Sequence, residues 1–233
     1  EKLRGLSEDG FDEALIAPLR NIGEGLLATP ELDVALHHTI RFLAHFNRRF
    51  NADMLRAFVQ HGHADLRGFP PEEVVEKLSR EFFFVKTRPD GFIQLHDEME
   101  RLVNQYLWPD LDLRGDKRSE LTHIAYEWYG AQIKQAGEDE TSIDDLKAEQ
   151  LIYLFDIDSE KAYDLLDTYG YESFVLNNLL VVEFKPEKLK TTLSKIRYRF
   201  TTDLGNRARR VNLYERGQEY WKIAVESARQ NNN

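Results

Sequence analysis

The chain has 233 residues, is 42% hydrophobic, contains no cysteine and carries a net charge of −10. Its length and apolar content suffice for one large or two modest domains with a buried core, and the lack of thiols excludes a disulfide framework, a thiolate zinc site and a cysteine nucleophile. No apolar run approaches the roughly 20 residues of a membrane span, and the opening EKLRGLSEDG is charged where a signal peptide is apolar, so the expectation is a cytoplasmic protein without membrane contact.

The chain starts at Glu1 rather than Met and ends in ARQNNN without a closing structural signal, so it reads as a piece of a longer polypeptide. Charge is unevenly spread. From Lys185 onward there are twelve Lys/Arg against five Asp/Glu, a local +7, which leaves −17 for residues 1–184. The acidic part repels polyphosphate, whereas the basic part suits an acidic surface, of protein or nucleic acid, or neutralises the acidic part of the same chain.

In chain order, residues 1–31 read as an N-terminal helical segment. A helix over about 32–47 follows from Leu36, Ile40, Leu43 and Phe46, and one over about 51–60 from Met54 and Phe58, with Asn51 as N-cap. Pro70 and Pro71 open a third, over about 70–81, with Glu72 and Glu73 at the positive end of its dipole. Phe82–Val85 (FFFV) and Phe92–Leu95 (FIQL) then read as strands joined by KTRPDG, where Pro presets φ and Gly supplies a positive one. A helix over about 97–107 and a loop, WPDLDLRGD, come next, then a helix over Asp116–Gln135 and an acidic linker, AGEDETS. Further antiparallel helices follow, one capped by Ser159, with a strand-like stretch at LLVVEF and an apolar seam of Leu189, Leu193, Ile196, Phe200 and Leu204.

The fold class expected is mainly α: a winged helix-turn-helix with one β-hairpin, followed by an antiparallel, repeat-like helical domain. The expected division is 1–31, a winged-helix domain at 32–110, a helical linker domain at 111–184 and a basic helical tail at 185–233. The tail segment ARRVNLYERGQEYWKIAVESARQ resembles part of a tetratricopeptide unit, with a plain amphipathic terminal helix as the other reading. A winged helix usually reads DNA through its third helix. Here Glu72 and Glu73 stand where phosphates and base edges are met, which disfavours DNA; the wing offers Lys86 and Arg88.

ALHHTIRFLAHFNRRFNADMLRAFV, followed by PPEEVVEKLSREFFFVKTRPDGFIQLHDEMERLV, resembles the winged-helix region of STAND-class signal-transduction ATPases over Leu36–Val103. Leu95-His96-Asp97 is similar to the Met-His-Asp element of apoptotic ATPases and plant immune receptors, with Leu in place of Met. The resemblance implies that His96 contacts the terminal phosphate of ADP and that Asp97 supports it by capping the next helix, both only beside the parent's nucleotide-binding domain. A buried histidine satisfied by backbone, with Asp97 as plain N-cap, is the other reading. No phosphate-binding loop, magnesium-holding strand or Gly-x-Pro element is found in the chain, IAPLRNIG being no match. The fragment is therefore expected to hold no cofactor and catalyse nothing, with ADP or ATP and magnesium belonging to the parent. Its expected partners are the intramolecular nucleotide-binding domain, sensor repeats and other proteins.

His61 and His63 with His37, His38 and His45 lack a paired second motif, and no metal is expected. In the basic tail Lys195, Arg197, Arg199, Arg207, Arg209 and Arg210 are candidate partner-binding residues. Tyr198 and Phe200 between them allow a base-stacking reading, but Phe200 also lies on the apolar seam. The alternatives to the ATPase reading are a winged-helix transcription regulator and a helical protein-interaction scaffold.

Overall fold

The computed structural model describes residues 30–46, 50–89, 91–136, 140–169 and 194–231, together with Val175 and Leu179. Over these the chain is mainly helical, with a two-stranded antiparallel hairpin. The segment expected over residues 1–31 lies outside them up to position 29, as do Leu189 and Leu193 of the seam. Leu179 is helical, and the rest of LLVVEF is also outside. The chain divides into two compact units, residues 1–121 and 122–233.

The first unit is built around α1 (Pro30–His45). Leu32, Ala35, Leu36, Ile40, Phe42, Leu43 and Ala44 are all buried, a distribution wider than a single apolar stripe, as befits a helix surrounded by its neighbours. Thr39 survives inside by donating to the Ala35 carbonyl at 2.8 Å. Helix α2 (Ala52–Gln60) starts as expected, with Asn51 Oδ1 accepting from the Met54 amide at 2.9 Å. It ends at Gly62 (φ +76), where the Gly62 amide donates to Val59 O and the His63 amide to Phe58 O. That is a Schellman cap, and it accounts for the HGH sequence as a helix stop. Phe58 stacks on Phe46 at 5.1 Å and also meets Phe42 and Phe50, forming the aromatic centre of the unit.

Helix α3 (Pro71–Glu81) begins with Pro71 in its first turn, as expected, and buries Val74 and Leu78. The hairpin differs from expectation. Its strands are β1 (Val85–Thr87) and β2 (Ile93–Leu95), paired Val85↔Leu95, Lys86↔Gln94 and Thr87↔Ile93. Phe82–Phe84 form a turn instead: Phe82 and Phe84 pack inward and Phe83 is 91% exposed, an alternation that mimics a strand in sequence. Lys86 and Thr87 are strand, and Gly91, at φ +81, donates its amide to Arg88 O at 3.0 Å. Phe50 adds a further rung, exchanging both backbone hydrogen bonds with Ile93.

After β2 the chain is helical to residue 111, through α4 (Asp97–Leu102), a π-turn (Val103–Leu107) and α5 (Trp108–Leu111). The first four residues of the expected loop are therefore helix. Pro109 has no amide to donate and its ring crowds the carbonyl four residues back, so widening the preceding turn accommodates it. This rod secures α1: Asn104 Nδ2 donates to Ala44 O at 3.0 Å and Trp108 Nε1 to Arg41 O at 3.1 Å. Buried Asp112 then accepts from the Lys117 and Arg118 amides at 3.2 and 2.9 Å, and from Arg118 Nε at 3.3 Å, which starts α6 (Asp116–Gln135). Burial works to raise the Asp112 pKa, but these donors outweigh it and the net shift is downward.

The second unit holds α7 (Glu140–Ile157), α8 (Ser159–Tyr169), α9 (Ser194–Arg210) and α10 (Tyr214–Asn231). The acidic linker is shorter than expected, because residues 140–142 belong to α7. Eight consecutive residues of α7, Ala148–Phe155, are buried. Phe155 stacks on Phe200 at 4.9 Å, Tyr163 meets Phe200 edge-on, and Leu204 and Ala208 continue the expected seam. Asp158, not Ser159, caps α8: its Oδ1 accepts from the Glu160 and Lys161 amides at 3.2 and 3.1 Å. A carboxylate one residue earlier reaches the free amides that Ser159, already helical, cannot. Helix α9 ends in a second Schellman cap, with Asn212 at φ +64 and the Leu213 amide donating to Ala208 O at 2.8 Å. The return helix α10 approaches closely, since a Cβ on Gly205 would lie 2.5 Å from the Trp221 ring and one on Gly217 3.3 Å from Gly205 O.

Candidate functional site

The hairpin delivers Leu95-His96-Asp97 to the start of α4. Leu95 is fully buried, and the His96 backbone is held on both sides, its amide donating to Phe84 O at 2.8 Å and its carbonyl accepting from the Glu100 amide at 2.9 Å. The imidazole is exposed and makes no capping bond to the helix, so the buried-histidine reading is excluded. The capping role expected of Asp97 is also corrected. His96 occupies the N-cap, and Asp97 is the first helical residue, exposed, adding negative charge at the positive end of the dipole beside Glu98 and Glu100. The arrangement is an anchored backbone presenting one imidazole to solvent.

At the start of α3, Glu72 is bound by Arg56 of α2, which also binds Asp53, and these contacts raise the Arg56 pKa, Asp53 contributing most. The Arg56 guanidinium is thus occupied by carboxylates from its own helix and from the start of α3. On the hairpin Lys86 is exposed and Arg88 half-buried.

The six cations of the tail do not act as one group. Lys195 and Arg197 fall in the first turn of α9. Arg199 turns back on its own unit, 3.8 Å from Asp167 and with its guanidinium 5.5 Å from the Tyr163 ring centre. Arg207, Arg209 and Arg210 stand in the last turn, where cations offset the negative end of the dipole; Arg209 and Arg210 are exposed and Arg207 half-buried. Phe200 is fully buried, which removes it from any base-stacking face, while Tyr198 is 44% exposed.

Sequence reasoning missed a polar cluster on α1. Arg41 is half-buried, with Nη2 3.4 Å from His37 Nε2, and among the described residues its Nε has no hydrogen-bond partner. Burial pulls its pKa down to about 10. His38 beside it is also lowered, first by burial and then by Arg41, with Asp65 opposing and Arg67 and Lys117 reinforcing the shift. Nothing local in the sequence marks this group, because its members come from three separate segments. Between two of these, His63 Nδ1 lies 3.7 Å from Glu120.

No family model matches the chain, and neither the curated proteins nor the solved structures contain a match to it.

Proposed function

We propose that the chain is a non-catalytic regulatory piece of a cytoplasmic STAND-type signalling ATPase, coupling nucleotide state to a helical-repeat sensor. In this reading residues 32–110 are a winged helix-turn-helix, 111–184 a helical linker and 185–233 a basic tail with a partial tetratricopeptide-like unit. The observation that carries it is the exposed imidazole of His96 on a backbone fixed at both its amide and its carbonyl. The helix–helix–helix–hairpin order supports it, as does the Phe50–Ile93 rung that ties the hairpin to the α1–α2 connection.

An imidazole N–H can donate to a terminal phosphate oxygen. Residues outside this chain would supply the phosphate loop and magnesium, and ADP or ATP would bind there. The DNA-reading alternative draws less support because α3 opens with carboxylates, and the scaffold alternative because the tail cations are divided. The test is ADP release from the longer polypeptide. His96→Ala should speed it about 5- to 30-fold, the loss of one hydrogen bond of about 1–2 kcal/mol. Unchanged ADP retention would remove the role assigned to His96.

A further inference from the structure

Helix α10 is apolar on more of its circumference than α9 covers. Gly217, Tyr220, Ala224 and Ser227 are buried on the side that meets α9, where a Cβ on Gly217 would lie 3.3 Å from Gly205 O. A second row, Tyr214, Gln218, Trp221, Val225 and Ala228, is spaced alternately four and three residues apart, which places it on one adjoining face of the helix. Tyr214 is 59% and Val225 51% exposed, Gln218 is exposed, and Trp221 and Ala228 are half-buried. Among the described residues six large apolar side chains are exposed, and four of them, Tyr198, Val211, Tyr214 and Val225, lie on this one helical hairpin. A scattered apolar side chain needs no partner, whereas a row at heptad spacing is a seam for another helix.

The charges beside the row indicate which helix fits it. Glu215, Lys222 and Arg229 follow one another at seven-residue intervals along the flank opposite α9; all three are exposed, and among the described residues none has an ion-pair partner. Glu215 and Arg229 are opposite in sign and equally far from Lys222. Two copies of α10 crossing antiparallel about that point bring Glu215 of each against Arg229 of the other. The same axis sets Tyr214 of one copy opposite Ala228 of the other, a large side chain against a small one, and brings the two Trp221 rings together. A parallel pairing in register would instead set Tyr214 against Tyr214 and Ala228 against Ala228. Lys222 falls beside the axis and meets its own copy, the one unfavourable contact of the arrangement.

We propose that the face of α10 over residues 214–228 is an interface with a second copy of this chain, the two helices packing antiparallel across a twofold axis near Trp221. The seam is about 21 Å long at the rise of an α-helix. The proposal does not rest on the nucleotide reading of His96 and is tested on this chain alone. Equilibrium sedimentation should show the mass rising with concentration from 27.3 kDa toward twice that value. Val225→Glu puts a charge into the seam of both copies and should weaken association about 100-fold or more. Because Val225 faces solvent in the single chain, the helix content of this variant should be unchanged. Lys222→Gln removes the like-charge contact at the axis and should tighten association roughly 2- to 5-fold.

Charge exchange reads the direction of the pairing. Chains carrying Glu215→Arg or Arg229→Glu should each associate more weakly alone. An equal mixture of the two should associate more strongly than either, because both pairs between the helices then have opposite signs. A mass of 27.3 kDa at every concentration overturns the proposal and leaves the face to a helix of another polypeptide. Association undiminished by Val225→Glu overturns it too, as does a mixture no stronger than its two components. Should Val225→Glu fail to fold, the charge-exchange mixture decides by that same criterion.

Discussion

The two units are each organised around one helix buried on nearly every side, yet those helices carry different polar guests. Helix α1 carries buried Asp33 and His37 with half-buried His38 and Arg41; α7 carries buried Asp144 and Glu149, with Lys147 bonded to Asp144 at 3.3 Å. The attachments differ as well. Side-chain donors on backbone carbonyls secure α1, from Asn104 and Trp108, whereas rings flank α7, Tyr153 on Tyr129 and Phe155 on Phe200. A surrounded helix has no solvent face on which to put its polar residues. Each therefore needs a specific partner: among the described residues Arg41 has no carboxylate, whereas Asp144 has Lys147.

The largest effect should come from removing the ring at each centre. Phe58→Ala and Phe200→Ala should each cost about 3–5 kcal/mol. Hydrogen exchange should then accelerate in α1–α3 for the first variant and in α7–α9 for the second. Equal acceleration in both units after either change would mean that the division is geometric only.

Glycine substitutions sharpen the contrast between space and conformation. Gly205→Ala forces a methyl to within 2.5 Å of the Trp221 ring and should destabilise by about 1–3 kcal/mol. Gly62→Ala meets nothing within 4 Å but keeps φ +76, at a cost of about 1–2 kcal/mol. Adding Trp221→Ala should recover much of the Gly205→Ala loss in chemical denaturation. A neighbour deletion has nothing to relieve at Gly62, where Asn, the residue of the other Schellman cap, should be tolerated best.

The smallest effect separates the two helix starts by acid. The folded pKa of Asp112 lies below 3.8, so its stabilisation is complete at neutral pH, fades as pH falls toward that value and is lost below the folded pKa. Asp112→Asn should cost about 1 kcal/mol at pH 7 and flatten the acid limb of a melting-temperature profile. A profile parallel to that of the unaltered chain would show that Asp112 does not drive the acid dependence.

What was legible in the sequence followed from local chemistry. Asn51, Pro71 and the bounds of α6 are encoded within a few residues, and so are the buried Phe200 and Leu204. The errors arose where two physical causes share one pattern. Alternating aromatics mark a strand or a turn that tucks in every second ring, and Phe82–Phe84 is the turn. Ser159 and Asp158 both suit a cap, and position relative to the first free amide decides between them. Pro109 reads as a helix stop until a wider turn absorbs it. His96 follows the hairpin as its sequence indicates, and the cap falls on it rather than on Asp97 because Asp97 is already helical. The Arg41 cluster was illegible because 76 positions separate Arg41 from Lys117 and only the fold brings their segments together.

The π-turn at Val103–Leu107 makes the chain's length, as well as its composition, a determinant of structure. The wide turn absorbs one extra residue: deleting one there would restore ordinary helical winding and leave the helix beyond it facing nearly the same way, whereas adding one would turn everything beyond it by about 100° with a shift of about 1.5 Å. After an insertion the Trp108 indole would leave the Arg41 carbonyl, and the Asp112 capping loop would lose its aim at α6. Loss of one residue in this stretch is therefore a milder change than an insertion, and descendants of this chain should shorten there before they lengthen.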